Sequence, residues 1–255
     1  MTCLRTEQLS ITIAGRKLCE KLDWQIHPGE TWGLLGVNGS GKTTLLHTLA
    51  GLRPPDSGSV LIDDHLVSEL PRKQVAQALS LLFQDHQDSF PGTVLEAAMT
   101  GRHPYLHGWQ FEGARDHAIV NEALQRVELD KLGERDVLTL SGGERQRLAI
   151  ATQMVQATNI CLLDEPNNHL DPHQQIRVMD SISEHARTHN IALCMSSHDL
   201  NLAVRYCSHL AVMMDGGEVL TGTADALLNE ETLSRLYQYP MQRIEQHGRV
   251  AWLPK

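Results

Sequence analysis

A glycine-rich segment near the start of the chain, Gly36 to Thr43, carries the pattern GxxxxGK[ST]. An apolar run at 31–36 precedes it and a helical pattern follows it, which is the context that this pattern requires. Glycines let the backbone curl until successive N–H groups face inward, and the start of a helix adds partial positive charge. We therefore expect the loop to bind the phosphates of a nucleotide, with Lys42 on the β- and γ-phosphates and the Thr43 hydroxyl on Mg²⁺.

Two adjacent carboxylates, Asp164 and Glu165, end the apolar run that begins at Ile160. Side chains that follow a strand of a parallel sheet emerge at its carboxyl edge, where the phosphates of a nucleotide bind. Asp164 is then placed for the Mg²⁺ shell, and Glu165 is placed to polarise an attacking water. Taken alone, the pair is explained equally well as a polar turn after a buried strand.

The elements that must position these residues follow an α/β pattern, because short aliphatic runs alternate with longer helical segments. Near-continuous apolar runs are typical of strands covered on both faces. Four such strands are expected at 31–36, 78–83, 160–164 and 191–196, with a hairpin at 210–220 and antiparallel strands within 9–26. Between about residues 86 and 157 the pattern turns helical, for example at 115–127, which indicates a helical insertion.

The composition of the chain excludes several classes of protein. The chain has 255 residues, of which 41% are hydrophobic and 21% are charged, so it is neither collagen-like nor disordered. Its formal net charge of −9 disfavours nonspecific binding to nucleic acid or to anionic lipid. The longest apolar runs have five residues, whereas a membrane span needs about 20. We expect a chain that neither crosses a membrane nor is secreted, with no nucleic acid partner.

The cysteines and the paired histidines do not predict a metal site. The five cysteines form no CxxC pair, so we expect reduced, buried thiols. His185 and His189, and likewise His103 and His107, are four residues apart, a spacing that can bind Zn²⁺ on a helix. No third ligand lies near either pair in the sequence, so a solvated helix face is the favoured interpretation.

The segment Leu140 to Gln146 reads LSGGERQ and opens a further predicted helix. Ser141 and Glu144 have the spacing of a capping box, but two glycines between them weaken the first helical turn. The glycines are explained if a phosphate must approach the backbone N–H groups at this end of the helix. Together with the phosphate loop, the segment resembles the signature of ATP-binding cassette ATPases.

Further elements of that family occur in the family's order: Gln84 after a strand, CLLDEP at 161–166, NHLD at 168–171 and Ser197-His198-Asp199. The resemblance extends over essentially the whole chain. It implies a single nucleotide-binding domain, 1–255, with a P-loop NTPase (RecA-like) α/β core, an N-terminal antiparallel β subdomain and an inserted α-helical subdomain. The implied divisions are about 1–85 and 158–225 for the core, 86–157 for the helical signature subdomain and 226–255 for a C-terminal extension.

The resemblance also implies roles for individual residues. Glu165 is the catalytic base, and His198 contacts the γ-phosphate and orients Glu165, with neighbours among residues 196–199 able to hold its tautomer. Lys42 and Gln84 complete the catalytic set, and Mg²⁺ is held by Thr43, Gln84 and Asp164. The residues that contact ATP within one copy are Gly36, Val37, Asn38, Gly39, Ser40, Gly41, Lys42, Thr43, Thr44 and Ile13. The residues that contact the ATP of a second copy are Ser141, Gly142, Gly143 and Glu144, and Asp171 shapes the seam between the copies.

Ile13 marks a departure from the family pattern. An aromatic that stacks on adenine usually lies 29 residues before the loop lysine, and that position is Ile13 in this chain. No Phe, Tyr or Trp precedes Trp24. We therefore expect apolar contact with the base and loose base specificity.

The segments 85–111 and 236–253 resemble, more loosely, those of importer ATPases for ferric siderophores, cobalamin and haem. This implies an ATP-hydrolysing importer subunit that works as a homodimer at the cytoplasmic face of the inner membrane. Its partners are two transmembrane permease subunits and, indirectly, a substrate-binding protein. Two alternatives remain: a soluble cassette ATPase of a non-transport assembly, such as iron–sulfur scaffold maturation, and the ATPase of a molybdate-type importer.

Overall fold

The computed structural model describes residues 3–84, 91–106, 111–247 and 249–255. Its strands are β1 (Leu4–Ile13), β2 (Arg16–Ile26), β3 (Thr31–Leu35), β4 (Ser57–Ile62), β5 (His65–Leu66), β6 (Leu79–Leu82), β7 (Ile160–Leu163), β8 (Ala192–Ser197), β9 (His209–Met213), β10 (Val219–Thr223), β11 (Met241–Gln246) and β12 (Arg249–Pro254). Its α-helices are α1 (Lys42–Leu49), α2 (Arg72–Ala78), α3 (Val94–Met99), α4 (Ala114–Arg126), α5 (Gly142–Gln156), α6 (Pro172–His189), α7 (Leu200–Tyr206), α8 (Ala224–Leu227) and α9 (Glu230–Tyr237).

The central element is a six-stranded sheet in the order β10-β9-β3-β8-β7-β6. Strands β9, β3, β8, β7 and β6 are parallel, and β10 pairs with β9 antiparallel at one edge. Consecutive residues of the central strands belong to different cores: Leu34 and Leu162 pack on one side of the sheet, and Leu35 and Leu163 on the other. Both faces are therefore covered, which is why these strands are apolar throughout.

Each face of this sheet has its own cover. A four-stranded antiparallel sheet, β2-β1-β4-β5, packs with α1 and α2 on one face. Helices α3 to α7 supply the apolar side chains that cover the other face. A two-stranded sheet of β11 and β12 packs beside α7 through Trp252, whose backbone N–H donates to Asn201 Oδ1 at 3.0 Å.

The α/β architecture predicted from the sequence is confirmed, with small shifts of boundaries. Each of the four predicted core strands lies within one residue of its expected limits. Ala78 ends helix α2, which the sequence analysis did not predict, and β1 begins at Leu4 rather than within 9–26. All five cysteines are free, but Cys3 and Cys161 are only half-buried. None of the described helices is long and apolar enough to cross a membrane.

The interpretation of His185 and His189 as a solvated face is wrong for His185. This side chain lines a cavity of about 20 Å³ between α5, α6 and β7, and its Nδ1 has no hydrogen-bond partner in the part of the chain that the structure describes. Burial lowers the pKa of His185 to about 4, and the charges of His189 and Arg126 act in the same direction, whereas Glu122 opposes them. The native protein therefore favours the neutral imidazole. Residue 107 of the other pair lies outside the described residues.

Acid should destabilise the protein through His185. In the unfolded chain, His185 becomes protonated near its ordinary pKa of about 6.5. The contribution of the neutral imidazole to the free energy of unfolding is therefore fully present above that pH and is lost as pH falls from about 6.5 to 4. As pH falls across this range, the free energy of unfolding should fall by about 2–3 kcal/mol more in the parental chain than in the His185→Gln variant, as measured by urea unfolding. His173→Gln, which changes an exposed histidine near the start of the same helix, is the control. If the free energy of unfolding depended on pH in the same way in the His185→Gln variant and the parental chain, this expectation would be contradicted.

Candidate active site

Four loops meet at the carboxyl edge of the central sheet. Leu35 of β3 pairs with Ser197 of β8, and Leu82 of β6 pairs with Leu163 of β7. The segments that follow these strands carry the phosphate loop, Gln84, the Asp164–Glu165 pair and His198. The parallel register therefore assembles residues that are up to 162 positions apart, from 36 to 198, at one edge.

The phosphate loop wraps around its own lysine. Lys42 is 6% exposed, and its Nζ donates to the carbonyl oxygens of Gly36 at 2.8 Å and Val37 at 3.4 Å. Burial lowers the pKa of Lys42, and the carboxylates of Glu165 and Asp164 partly oppose that shift. Phosphate oxygens would replace these two carbonyls as stronger, charged partners of the ammonium group.

A side chain at position 41 would strain the backbone at the start of α1. The φ of Gly41 is +103°, in the left-handed region that favours glycine, and a Cβ there would lie 2.7 Å from Leu18 Cδ1. The turn lets the loop pass close over β2 before α1 begins. This is the backbone conformation that the GxxxxGK[ST] pattern predicts.

A cavity of about 740 Å³ opens beside the loop, within the range of about 300–1,000 Å³ that holds small ligands. The residues that line it are Ile13, Arg16, Leu18, Asn38, Gly39, Gly41, Lys42, Thr43, Thr44, Gln84, Glu165 and His198. A groove of similar volume, about 810 Å³, lies between α7 and the β11–β12 hairpin. That groove contains none of the motif residues, so the cavity at the phosphate loop is the candidate site.

The buried carboxylate of Asp164 has a free oxygen. Asp164 is 1% exposed; its Oδ1 accepts from Ser196 Oγ at 2.5 Å, whereas its Oδ2 has no hydrogen-bond partner among the described residues. A buried carboxylate oxygen without a partner, at the same sheet edge as the Thr43 hydroxyl and the Gln84 amide, fits Mg²⁺, which prefers oxygen ligands. No cluster of three His, Cys, Asp or Glu suited to a metal occurs in the described part of the chain. A Mg²⁺ site needs none, because phosphates and water supply most of its ligands.

Glu165 is held from three sides. Its Oε2 accepts from Asn168 Nδ2 at 2.7 Å and from Gln84 Nε2 at 3.4 Å, and it lies 3.6 Å from His198 Nδ1. Its backbone N–H donates to Ser196 Oγ at 2.9 Å. Its φ of +49° is uncommon for a residue with a side chain, and such conformations concentrate at functional sites.

The surroundings of His198 differ from those expected. Ser197 and Asp199 hydrogen-bond each other, and the Asp199 carboxylate caps α7 through the backbone N–H groups of Asn201 and Leu202. These hydrogen bonds shape the loop and the start of α7. The imidazole of His198 is half exposed, and it faces the carboxylate of Glu165.

The signature segment opens α5 as predicted. Ser141 Oγ accepts from the backbone N–H of Glu144 at 3.3 Å, and Glu144 Oε2 accepts from the backbone N–H of Ser141 at 2.7 Å. This hydrogen bond with the Ser141 backbone lowers the pKa of Glu144. Gln146 Nε2 donates to the carbonyl oxygen of Pro166 at 2.9 Å, which ties α5 to the loop that carries Glu165.

The remaining predicted site residues lie at the edges of this arrangement. Ile13 is 38% exposed and lines the cavity, as expected for a base contact. Asp171 is the N-cap of α6, where its Oδ1 accepts from the backbone N–H of Gln174 at 2.9 Å. The signature residues 141–144 do not line the cavity in the described part of the chain.

Sequence reasoning did not predict the contacts that three residues make in the site, and it considered Ser196 only as a neighbour able to hold the tautomer of His198. Asn168 fixes Glu165, Ser196 joins Asp164 to Glu165, and Arg16 reaches Gly39 of the phosphate loop. Asn168 belongs to the NHLD segment, so that segment was the available signal. Ser196 and Arg16 contact residues that are distant in the sequence and that lie close to them only in the folded protein.

The parallel sheet, the phosphate loop and the paired carboxylates define a nucleotide-binding protein of the P-loop class. The family model described as ABC transporter matches residues 19–168. The chain belongs to this family, whose importer subunits are ATPases.

Similar proteins support the same assignment over a longer span. The chain is 34% identical to a petrobactin import ATP-binding protein of Bacillus anthracis, with 94% of this chain and 88% of that protein covered. It is 37% identical to a hemin import ATP-binding protein of Pseudomonas aeruginosa, with 92% of each covered. It is 36% identical to a ferric enterobactin transport ATP-binding protein of Escherichia coli, with 92% and 86% covered.

Solved structures show the same fold. A metal-chelate type ABC transporter in an inward-facing conformation matches with a TM-score of 0.86 at 23% identity, covering 100% of this chain and 98% of that one. The cbiO1 protein of Clostridium perfringens, part of an ABC transporter complex, matches with a TM-score of 0.77 at 26% identity, covering 91% and 92%. The predicted P-loop NTPase core with its antiparallel and helical additions is therefore confirmed.

Proposed function

We propose that the chain powers a metal-chelate importer by hydrolysing ATP at the phosphate-loop cavity. The observation that carries the proposal is the convergence of Gln84, Asn168 and His198 on the Glu165 carboxylate. A carboxylate fixed by several neighbours at the mouth of a phosphate loop is suited to orient an attacking water. The similar proteins are import or transport ATP-binding proteins for petrobactin, hemin and ferric enterobactin, and another, from Halobacterium salinarum, is a cobalamin import ATP-binding protein. A ferric siderophore, haem or cobalamin is therefore the proposed cargo.

In the proposed mechanism, the loop and Lys42 bind the triphosphate and stabilise the charge that develops on the γ-phosphate. Glu165 accepts a hydrogen bond from the water and polarises it, and His198 orients Glu165 and contacts the γ-phosphate. Thr43, Gln84 and Asp164 would hold Mg²⁺, which neutralises charge on the β- and γ-phosphate oxygens when bound. No covalent intermediate is needed for this reaction.

The signature glycines support a site shared between two copies. A Cβ at Gly142 or Gly143 would meet neighbours of the same protomer only at ordinary distances, 3.8 Å from His169 Cβ and 3.5 Å from Leu170 Cδ2. Neither glycine has a positive φ. None of the described residues of the same protomer therefore requires glycine there, whereas a γ-phosphate of a second copy would need the bare backbone N–H groups. We propose a head-to-tail dimer, with Asp171 at its seam.

The wider assembly follows from this role. We propose two transmembrane permease subunits, an indirect substrate-binding protein, and a peripheral position at the cytoplasmic face of the inner membrane. In this proposal, the core consists of about 1–85 and 158–225, and the C-terminal extension of about 226–255. The helical subdomain, about 86–157, transmits closure of the dimer to the permease. Residues 85–90 and 107–110 of the expected docking segment lie outside the described residues.

Isolation of the tagged chain from detergent-solubilised membranes of its own cells tests the importer role. We expect membrane-spanning proteins to co-purify in a ratio of one per chain, and a labelled ferric siderophore, haem or cobalamin to require the chain for uptake. Soluble scaffold proteins in place of membrane proteins would instead support the iron–sulfur alternative. Loss of molybdate uptake alone would support the molybdate-type importer.

A further inference from the structure

Arg16 lies in the nucleotide cavity at the start of β2 and is fixed there by two acceptors. Its Nη1 donates to the carbonyl oxygen of Gly39 at 3.0 Å, and its Nη2 lies 3.3 Å from Asp215 Oδ1. Gln238 Nε2 donates to the other oxygen of Asp215 at 2.8 Å. Hydrogen bonds to a guanidinium lie in its plane, so both contacts restrain the plane of Arg16 while leaving its faces free.

The position of Arg16 in the cavity corresponds to the base of a nucleotide. Lys42 and the loop N–H groups define the phosphate end of the cavity, and Ile13, Arg16 and Leu18 line the part formed by β1 and β2. A nucleotide with its phosphates at Lys42 extends its base toward this second part. The side chain of Arg16 is 52% exposed, so a ligand can reach it.

We propose that the guanidinium plane of Arg16 stacks on the nucleobase and replaces the aromatic platform that Ile13 lacks. The inference rests on the proposed function, because it assigns the base end of the same site. A guanidinium is planar and weakly hydrated, and it stacks on π-systems better than a lysine ammonium does. Stacking depends little on which base is present, so adenine and guanine nucleotides bind with similar affinity.

Asp215 and Gln238 act as positioning residues for Arg16. Gln238 is the C-cap of α9, so the hydrogen bonds from Gln238 through Asp215 and Arg16 to Gly39 connect the C-terminal part of the chain to the phosphate loop. Removing the Gln238 amide frees Asp215 to rotate away from Arg16. Arg16 keeps its hydrogen bond to Gly39, so the phosphate loop retains this contact while the guanidinium plane is less well ordered for the base.

The test compares MgADP, MgGDP and Mg-pyrophosphate, which are not hydrolysed here, by isothermal titration calorimetry on the full chain. We expect Arg16→Ala and Arg16→Lys to weaken both nucleotides about 10-fold and to leave pyrophosphate unchanged. Gln238→Ala should weaken both nucleotides about threefold, again without an effect on pyrophosphate. Ile13→Tyr in the Arg16→Ala chain should restore nucleotide affinity, and Arg187→Ala, an exposed arginine at the end of α6, is the matched control.

Two results would overturn the proposal. Equal losses for ADP and pyrophosphate would show that Arg16 acts on the phosphate loop and not on the base. Unchanged ADP affinity in Arg16→Ala, with a thermal melting temperature equal to that of the parental chain, would show that Arg16 does not contact the nucleotide. Either result leaves ATP hydrolysis by the parental chain intact, so failure of this inference is distinct from failure of the proposed function.

Discussion

Changing Glu165 to Gln is expected to lower steady-state ATP hydrolysis by about 10²–10⁴-fold, the usual contribution of a general base. The substitution keeps the size of the side chain and its hydrogen bond from Asn168, but it removes the negative charge that polarises the water. Because Lys42 and the phosphate loop are untouched, affinity for MgATP should stay within about threefold of the parental value. Phosphate release gives the rate, and calorimetry gives the affinity.

The same variant should accumulate as a dimer when MgATP is present. In the proposed dimer, hydrolysis reopens the closed pair, so blocking it would leave both copies joined through their nucleotides. Size-exclusion chromatography with light scattering measures the mass with and without MgATP. Glu69→Gln, an exposed glutamate outside the cavity, is the matched control. Turnover by the Glu165→Gln variant at the parental rate would refute the assignment of the base.

Two inactive variants should restore activity when mixed. Lys42→Ala removes the phosphate contact, and Gly142→Asp places a negative charge where the γ-phosphate of the other copy must approach. A mixed dimer contains one intact site, formed by the loop of the Gly142→Asp copy and the signature of the Lys42→Ala copy. Random pairing makes half of the dimers mixed, so we expect roughly a quarter of the parental rate from an equimolar mixture.

Gly142→Asp separates this effect from misfolding. Gly142 is the first residue of α5, where an acidic side chain is favoured by the helix dipole and glycine is unfavourable. The variant should therefore unfold at the same or a slightly higher urea concentration while losing hydrolysis. Mixing Lys42→Ala with the double variant Lys42→Ala, Gly142→Asp, which leaves no intact loop in either copy, is the negative control. A mixture no more active than its separate components would place the whole site within one copy.

Sequence patterns located the parts of the site that depend on local geometry. The phosphate loop requires only a strand, a glycine-rich turn and a helix in succession, and Asp164 requires only the end of a buried strand. The capping box at Ser141 is likewise set by a spacing of three residues. Such features depend on neighbours along the chain, so their types and spacing are sufficient to predict them.

Contacts across the fold were not predictable in this way. Ser196 reaches Asp164 over 32 positions because β7 and β8 are neighbours in the central sheet. Arg16 reaches Asp215 over 199 positions because β2 of the antiparallel sheet packs beside the turn that follows β9 of the central sheet. The β11–β12 hairpin was also missed. Four of the six residues of β11 are exposed, so its hydrophobic alternation is too weak to mark a strand.

The sharing of each site between two copies is tested most directly by a crystal structure of the Glu165→Gln variant with ATP and Mg²⁺. A shared site predicts that Ser141 Oγ and the Gly143 N–H of one copy lie about 3 Å from the γ-phosphate bound at Lys42 of the other. A closed dimer with both signature segments far from every γ-phosphate, or a monomer with a complete site, would contradict it.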